Sequence, residues 1–488
     1  MKDISDQEVA EHLKRLNRWW GSTAGIDEGT ASLKRRAYLP AVRRLLTDVT
    51  LRRAVVLLGP RRVGKTILIR HLIADLLQQG VAPGRIGYVE VDHPLLHGQS
   101  LDSMVRLLTE ASGGPDGGTR YLFFDEIQYL KNWEQHLKAL VDHRPDLRIL
   151  VSGSAAAALR RQSVESGAGR FTDFLLPPLT FPEYLDLASD APGIRRTADG
   201  YVIEDMARLN TQFVEYVNFG GYPELALSPD ARRDPERFVK SDIVDKVLLR
   251  DLPQLYGIND IQELNALFTL LAYNSGEQVS LEGLAQRSGV GKPTISRYIE
   301  YLEAAFLLRR VFRVDQSGRR YQRERSFKVY LTNPAMRTGL FGPLEADDDR
   351  FGHQVETALF AQRFHENARL HYAAWGNDDN EVDMVEVSPA LSPMLALEIK
   401  WSDRFVARPQ DLTGLLRFAR KCGLSPVWST TRERLEDITV DGTRVTFWPA
   451  AVMAFHFGVR AIEGRIAAFH ARIEKPTGIG ESDQQEGA

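Results

Sequence analysis

Residues 53–66 read "RAVVLLGPRRVGKT" and residues 67–80 continue "ILIRHLIADLLQQG". The apolar run Ala54–Leu58 is the signature of a short buried strand. Apolar residues then recur at helical spacing after Lys65, and Gly80 supplies a stop. Between strand and helix, "GPRRVGKT" meets the G-x-x-x-x-G-K-[ST] spacing in full. Glycines let backbone N–H groups turn inward around phosphate oxygens, and the N-terminus of the next helix adds a favourable field. The spacing assigns Gly59, Pro60, Arg61, Arg62, Val63, Gly64, Lys65 and Thr66 to a cradle for the phosphates of ATP. Lys65 is expected to reach the β- and γ-phosphates, and Thr66 to ligate Mg²⁺.

A second element answers the first. "RYLFFDE" (120–126) is an apolar strand ending in two carboxylates. Asp125 suits the second Mg²⁺ contact and Glu126 suits a general base for the attacking water. "LRILVSGS" (147–154) is another strand, placing Ser152 where it can sense the γ-phosphate. From 53 to about 190 strands and helices alternate, the mark of a parallel α/β sheet. An anion-friendly turn without nucleotide explains the loop alone, but not the loop together with the acidic strand end.

Bulk properties narrow the class. The chain has 488 residues, 43% hydrophobic and 26% charged, so several ordinary globular domains are expected. A net charge of −3 excludes a polycation that coats nucleic acid, so any such surface is a local patch. The single cysteine, Cys422, excludes an intramolecular disulfide framework. The charged N-terminus lacks a signal-peptide core, and no apolar run approaches the ~20 residues of a membrane span. A cytoplasmic protein without membrane contact is expected.

Taken in order, "GPRRVGKT", "FFDEIQ", "SGS" and "GRFTDFLLPPLTFPEYL" resemble bacterial and archaeal AAA+ type ATPases. In that group the ATPase domain precedes a domain of unknown function with a winged helix and a nuclease-like fold. The resemblance spans roughly 35–450 and implies ATP binding with slow, regulatory hydrolysis. It also implies that Arg170, in "AGRFTDF", contacts the γ-phosphate, in cis or from a neighbouring copy in a homo-oligomer. The other reading of Arg170 is a structural ion pair. Arg160 and Arg161 are weaker finger candidates.

Residues 280–312, "SLEGLAQRSGVGKPTISRYIEYLEAAFLLRRVF", carry a short amphipathic helix, a glycine turn and a second helix with an Ile295, Ile299, Leu302, Phe306 stripe. Thr294, Ser296 and Arg297 stand near the start of that helix, where a recognition helix meets bases. "RRVFRVDQSGRRYQRERSFK" (309–328) then reads as a basic wing, with Arg319, Arg320 and Arg323 placed to track DNA or RNA phosphates. A lid or docking role is the alternative.

Further on, "FGHQVETALFAQRF" is helical, "NEVDMVEV" is a strand, and "ALEIK" (396–400) lies on the next strand. Their order resembles the PD-(D/E)XK nuclease superfamily. That resemblance implies Asp383 and Glu398 as Mg²⁺ ligands, Lys400 beside the nucleophile and Glu356 as an accessory carboxylate. Strand-end ion pairs, or a nuclease fold kept only for binding, are the alternatives.

The expected architecture is therefore an N-terminal helical segment (1–34), an α/β P-loop ATPase of AAA+ type (35–192), a helical connector (193–275), a winged helix-turn-helix (276–330), a restriction-endonuclease-like α/β domain (331–470) and a disordered tail (471–488). The expected function is an ATPase whose nucleotide state controls nucleic-acid binding and Mg²⁺-dependent phosphodiester cleavage. The alternative is a non-cleaving regulatory ATPase whose C-terminal parts bind DNA or a protein.

Overall fold

The structure is a computed structural model. It describes the chain apart from residues 1–4, 22–24, 49, 51, 114–116, 155–168, 199, 320–325, 365–367, 377–379, 465–471 and 475–488, and only the backbone at 254–255 and 472–474. Arg160, Arg161, Arg320, Arg323 and the expected tail beyond 474 lie outside the described residues. Among the described residues no helix is long and apolar enough to cross a membrane.

The chain forms two compact units. One comprises Met1–Leu179, Tyr222–Tyr273 and Leu281–Arg309; the other comprises Thr180–Gly221, Asn274–Ser280 and Arg310–Ala488. These units cut across the six segments expected from sequence, because contacts between remote segments define them.

The first unit is built on five parallel strands: β1 (Ala54–Leu58), β2 (Ile86–Glu90), β3 (Arg120–Asp125), β4 (Leu147–Gly153) and β5 (Phe171–Leu175), in the order β2-β3-β4-β1-β5. Both faces are covered, which is why the strands read as continuous apolar runs. In this order β4 lies between the strand that leads into the phosphate loop and the strand that ends in Asp125. Ser152 is thereby set between the two motifs.

The N-terminal segment is not a separate domain. Val9 and Leu13, on helix Asp6–Leu16, join the core with Val89, Phe124 and Trp133. Beyond that helix, Asn17 pairs with edge strand β2 as a neighbouring strand would. Its Nδ2 donates to Tyr88 O at 2.9 Å, and its Oδ1 accepts from Tyr88 N–H at 2.7 Å. The indoles of Trp19 and Trp20 both donate to Ile86 O, so this edge is blocked against foreign strands.

In the second unit β6 (Ile194–Arg196) and β7 (Gly200–Ile203) form a hairpin that β17 (Arg472–Glu474) joins. The main sheet has nine strands. They are β8 (Gln278–Ser280), β9 (Leu308–Val314), β10 (Ser326–Leu331), β11 (Arg369–Ala374), β12 (Glu381–Val387), β13 (Pro393–Glu398), β14 (Val427–Thr431), β15 (Glu436–Val440) and β16 (Thr443–Pro449), ordered β15-β16-β14-β13-β12-β11-β9-β10-β8. Helix Thr413–Cys422 packs Leu415, Leu416 and Phe418 on one face, against Val385, Ala396 and Val445.

The hairpin expected as a wing is part of a larger sheet. Helices Leu281–Ser288 and Lys292–Ala304 form as read, with Ile295, Ile299 and Leu302 buried. The strands after them do not form a free-standing wing. β9 is flanked by β10 on one edge and pairs in parallel with β11 on the other, and β10 pairs with β8. Leu308, Val311 and Val314 of "LRRVFRV" are buried, and "SFKVYL" is buried from Phe327 to Leu331, which suits interior strands of a sheet and which the count of arginines obscured.

Candidate functional sites

The nucleotide loop connects the C-terminal end of β1 to helix Lys65–Gln78. Gly59 takes φ +155°, and a Cβ there would stand 2.3 Å from Leu176 O, so only glycine fits beside the neighbouring chain. Gly64, at φ +92°, caps the helix. Lys65 is 6% exposed and its ammonium donates to Gly59 O at 3.0 Å and Pro60 O at 2.8 Å. Burial pulls its pKa down while Glu126 and Asp125 pull it back up. Two neutral carbonyls do not offset a buried positive charge, so the loop is ready for an anion.

Thr66 Oγ1 donates to Asp125 Oδ2 at 2.7 Å, which brings the two expected Mg²⁺ ligands together from the loop and from β3. A hydroxyl and a carboxylate are the hard oxygen donors that Mg²⁺ takes alongside phosphate. Tyr88 donates to the same carboxylate oxygen at 3.1 Å, and Ser152 donates to the other. Ser152 also accepts from Glu126 N–H at 3.3 Å. Its hydroxyl is thus engaged in orienting the acidic strand end. Glu126 sits at φ +57°, and Gln128 Nε2 donates to its Oε2. Burial pushes the Glu126 carboxyl up, with Lys65 opposing. A base with a raised pKa close to a lysine fits proton abstraction near neutral pH.

The loop arginines have partners that spacing did not reveal. Arg61 makes a two-pronged ion pair with Asp251, both distances 2.8 Å, and Arg62 pairs with Glu224 at 2.8 Å and Asp242 at 3.3 Å. Acidic residues in the 222–251 segment were the available signal, but nothing in their spacing pointed to the loop.

Arg170 is corrected for the cis role. It immediately precedes β5, whose register pairs Ala54 with Phe171 and Leu58 with Leu175. It therefore lies at the start of strands whose far ends carry the loop, a strand length of roughly 15 Å away. Its guanidinium pairs with Asp142 at 3.0 Å, the structural reading.

Of the expected nucleic-acid contacts, Arg297 and Arg319 are exposed, while Thr294 and Ser296 are half-buried. Ser296 is 3.5 Å from Glu300, and Arg319 donates its backbone N–H to Asp315 at 3.0 Å.

The second unit contains a cleft of about 770 Å³, lined among others by Lys328, His353, Glu356, Glu381, Asp383, Glu398 and Lys400. All four residues expected there converge. Helix Phe351–Arg363 brings Glu356, β12 brings Asp383, and the end of β13 brings Glu398 and Lys400. The pairing of β12 with β11 slips between His371 and Ala373, leaving Asp383 and Met384 opposite Tyr372 alone. This bulge sets the aim of Asp383. Asp383 Oδ2 accepts from Ile399 N–H at 2.7 Å and lies 3.6 Å from Lys400 Nζ, which in turn lies 2.7 Å from Glu398 Oε1.

Three residues in or behind this cleft were not anticipated: Lys328, Glu381 and Tyr330. Lys328, counted with the wing, is buried and reaches Glu356 at 3.1 Å and Glu381 at 2.5 Å. Tyr330 donates to Glu356 at 2.5 Å. The available signal was alternation: Lys328 with Tyr330, and Glu381 with Asp383, each share a strand face. Burial first, and Asp383 second, push the Glu398 carboxyl up to about 8, with Lys400 opposing.

Mg²⁺ fits the donors present. Glu398 Oε2 is buried with no hydrogen-bond partner, and Asp383 is beside it. Among the described residues no three His, Cys, Asp or Glu side chains form a ready-made metal cage. Two carboxylates completed by waters is a Mg²⁺ style of binding.

Residues 51–185 match the family model of an AAA domain, and residues 210–347 match a domain of unknown function (DUF8612). The chain carries an AAA-family ATPase domain. Glu356, Glu381, Asp383 and Glu398 lie beyond both matches, while Glu277 and Lys328 of the cleft wall fall within the second. Similar proteins include an uncharacterized protein of Haemophilus influenzae, 25% identical over 316 residues that cover 63% of this chain and 73% of the relative. One from Methanocaldococcus jannaschii is 26% identical over 258 residues, 52% of this chain and 55% of the relative. One from Mycobacterium tuberculosis is 28% identical over 310 residues, 63% and 59% respectively. The chain thus spans little more than half the length of two of these relatives. Among solved structures, the ADP complex of S. cerevisiae Hsp104 is similar at 14% identity and a TM-score of 0.28, covering 56% of this chain and 38% of that one. A likeness that distant carries no argument.

Proposed function

We propose that the AAA-family domain binds and hydrolyses ATP, and that its nucleotide state controls Mg²⁺-dependent cleavage of nucleic acid in the C-terminal cleft. The observation that carries the cleavage reading is the buried, unpartnered Glu398 Oε2 beside Asp383, with Lys400 reaching both carboxylates. Helix, bulged strand and strand end deliver these groups in the order that a PD-(D/E)XK nuclease uses.

In the ATPase domain, Lys65 and the loop amides bind the β- and γ-phosphates. Thr66 and Asp125 hold the metal, and Glu126 takes the proton of the attacking water. In the cleft, Asp383 and Glu398 hold the metal, Ile399 N–H fixes the Asp383 carboxylate, and Lys400 steadies the nucleophile and the charge at phosphorus. At either site Mg²⁺, when bound, offsets phosphate charge and makes hydroxide more available. Exposed Arg297 and Arg319 are the backbone contacts proposed for DNA or RNA.

The test is incubation of labelled DNA and RNA with the full chain and Mg²⁺ or Mn²⁺, beside Asp383→Ala. Cleavage that needs the metal and falls at least 10²-fold in the variant supports the reading; equal products from both chains overturn it. A second reading, nucleic-acid binding without cleavage, is favoured by the lysines that already occupy the cleft carboxylates. Binding retained with no metal-dependent product identifies it.

A further inference from the structure

Lys328 belongs to β10, outside the acidic motif, yet its ammonium lies deep in the cleft. It is 5% exposed and stands 3.1 Å from Glu356, 2.5 Å from Glu381 and 4.0 Å from Asp383 Oδ1. Tyr330, two residues on along the same strand face, donates to the same Glu356 oxygen, Oε1, at 2.5 Å. One half of the cleft, Glu356 with Glu381, is thus already served by an internal cation. The other half, Asp383 with Glu398, contains the one fully buried carboxylate oxygen among these four residues that lacks a hydrogen-bond partner, Glu398 Oε2.

The formal charges agree with this division. Four carboxylates, Glu356, Glu381, Asp383 and Glu398, face two ammonium groups, Lys328 and Lys400. For these six groups, with Glu398 ionised as metal binding requires, the remainder is −2, the charge that one divalent ion neutralises. A second divalent ion would have to enter beside the Lys328 ammonium, at a low-dielectric site where like charges repel strongly.

We propose that Lys328 is a built-in cation occupying the place a second metal would take between Glu356, Glu381 and Asp383, so that the cleft holds a single divalent ion on Asp383 and Glu398. This rests on the proposed metal site in the cleft. Lys328 is a positioning residue: it holds Glu356 and Glu381 away from the metal and leaves Lys400 the cation nearest the nucleophile. Two-metal sites place ions about 3.5–4 Å apart and clamp the attacking and leaving oxygens together. Here an ammonium on a sheet strand takes one of the two positions.

The experiment is a Mn²⁺ titration of the full chain followed by electron paramagnetic resonance of the free ion. Asp125→Asn serves as the background, so that the ATPase metal is not counted. The expected stoichiometry is one ion per chain, falling to none with Asp383→Asn. It rises to two with Lys328→Gln and stays at one with Lys328→Arg. Glu356→Gln, which leaves Lys328 in place, keeps the stoichiometry at one with affinity changed less than threefold. Two ions in the parent, one ion in a folded Lys328→Gln chain, or loss of the ion in Glu356→Gln each overturns the proposal. The titration reads metal and not product, so a chain that binds one ion and cuts nothing sinks the nuclease reading and leaves this one standing.

Discussion

Glu398 is the residue whose chemistry is most sensitive to solution conditions. Its carboxyl, pushed up to about 8 by burial and by Asp383, holds a proton at neutral pH in the metal-free cleft. A metal ion takes the ionised form and must release that proton. Metal affinity therefore rises with pH, about tenfold per unit between roughly pH 6 and 8, and levels off above 8. A Mn²⁺ titration at pH 6, 7, 8 and 9 reads the slope, and an affinity constant across that range would contradict the assignment. Glu126 gives the corresponding prediction for ATP. Glu126→Gln keeps the hydrogen-bonding shape and removes the base, so ATP binding persists while turnover falls by about 10²–10⁴. A turnover within twofold of the parent would show that Glu126 is not the base. These roles were legible because each is local: glycine, lysine and threonine within eight positions, and two carboxylates at the end of one strand. Lys328 was not, since its meaning depends on which strand neighbours β10.

Among the elements, β2 shows how distant parts of the sequence support the ATP site. It is the edge of the parallel sheet, and Tyr88 at its centre donates to Asp125 at 3.1 Å. Asn17 satisfies both backbone groups of Tyr88. Asn17→Ala leaves a buried N–H and C=O without partners and costs about 1–3 kcal/mol, read as a lower urea midpoint with unchanged slope. A midpoint unchanged within error would mean that water replaces the side chain at no cost. The N-terminal helix was recognisable from its spacing, but not its docking, because a side chain that mimics a strand leaves no periodic signature. The same limit explains the wing. Helices Leu281–Ser288 and Lys292–Ala304 follow from short-range apolar spacing, while the pairing of β9 with β11 joins residues about 60 positions apart. Arg170 misled for a related reason: its motif placed it near β5 without saying at which end.

At the scale of the whole molecule, the chain combines an AAA-family ATPase domain with a cleft in which carboxylates and lysines converge. Nucleotide-dependent control of that cleft is the central claim. The most direct measurement is Mg²⁺-dependent cleavage and binding of labelled nucleic acid by the full chain with ATP, ADP or no nucleotide, alongside Lys65→Ala. Lys65 is buried in the nucleotide loop, so its loss removes phosphate binding and leaves the residues of the cleft untouched. Nucleic-acid binding or cleavage by the parent is predicted to change at least tenfold between nucleotide states, while Lys65→Ala stays fixed at the nucleotide-free level. Identical binding and cleavage in all states, with Lys65→Ala indistinguishable from the parent, would contradict the account.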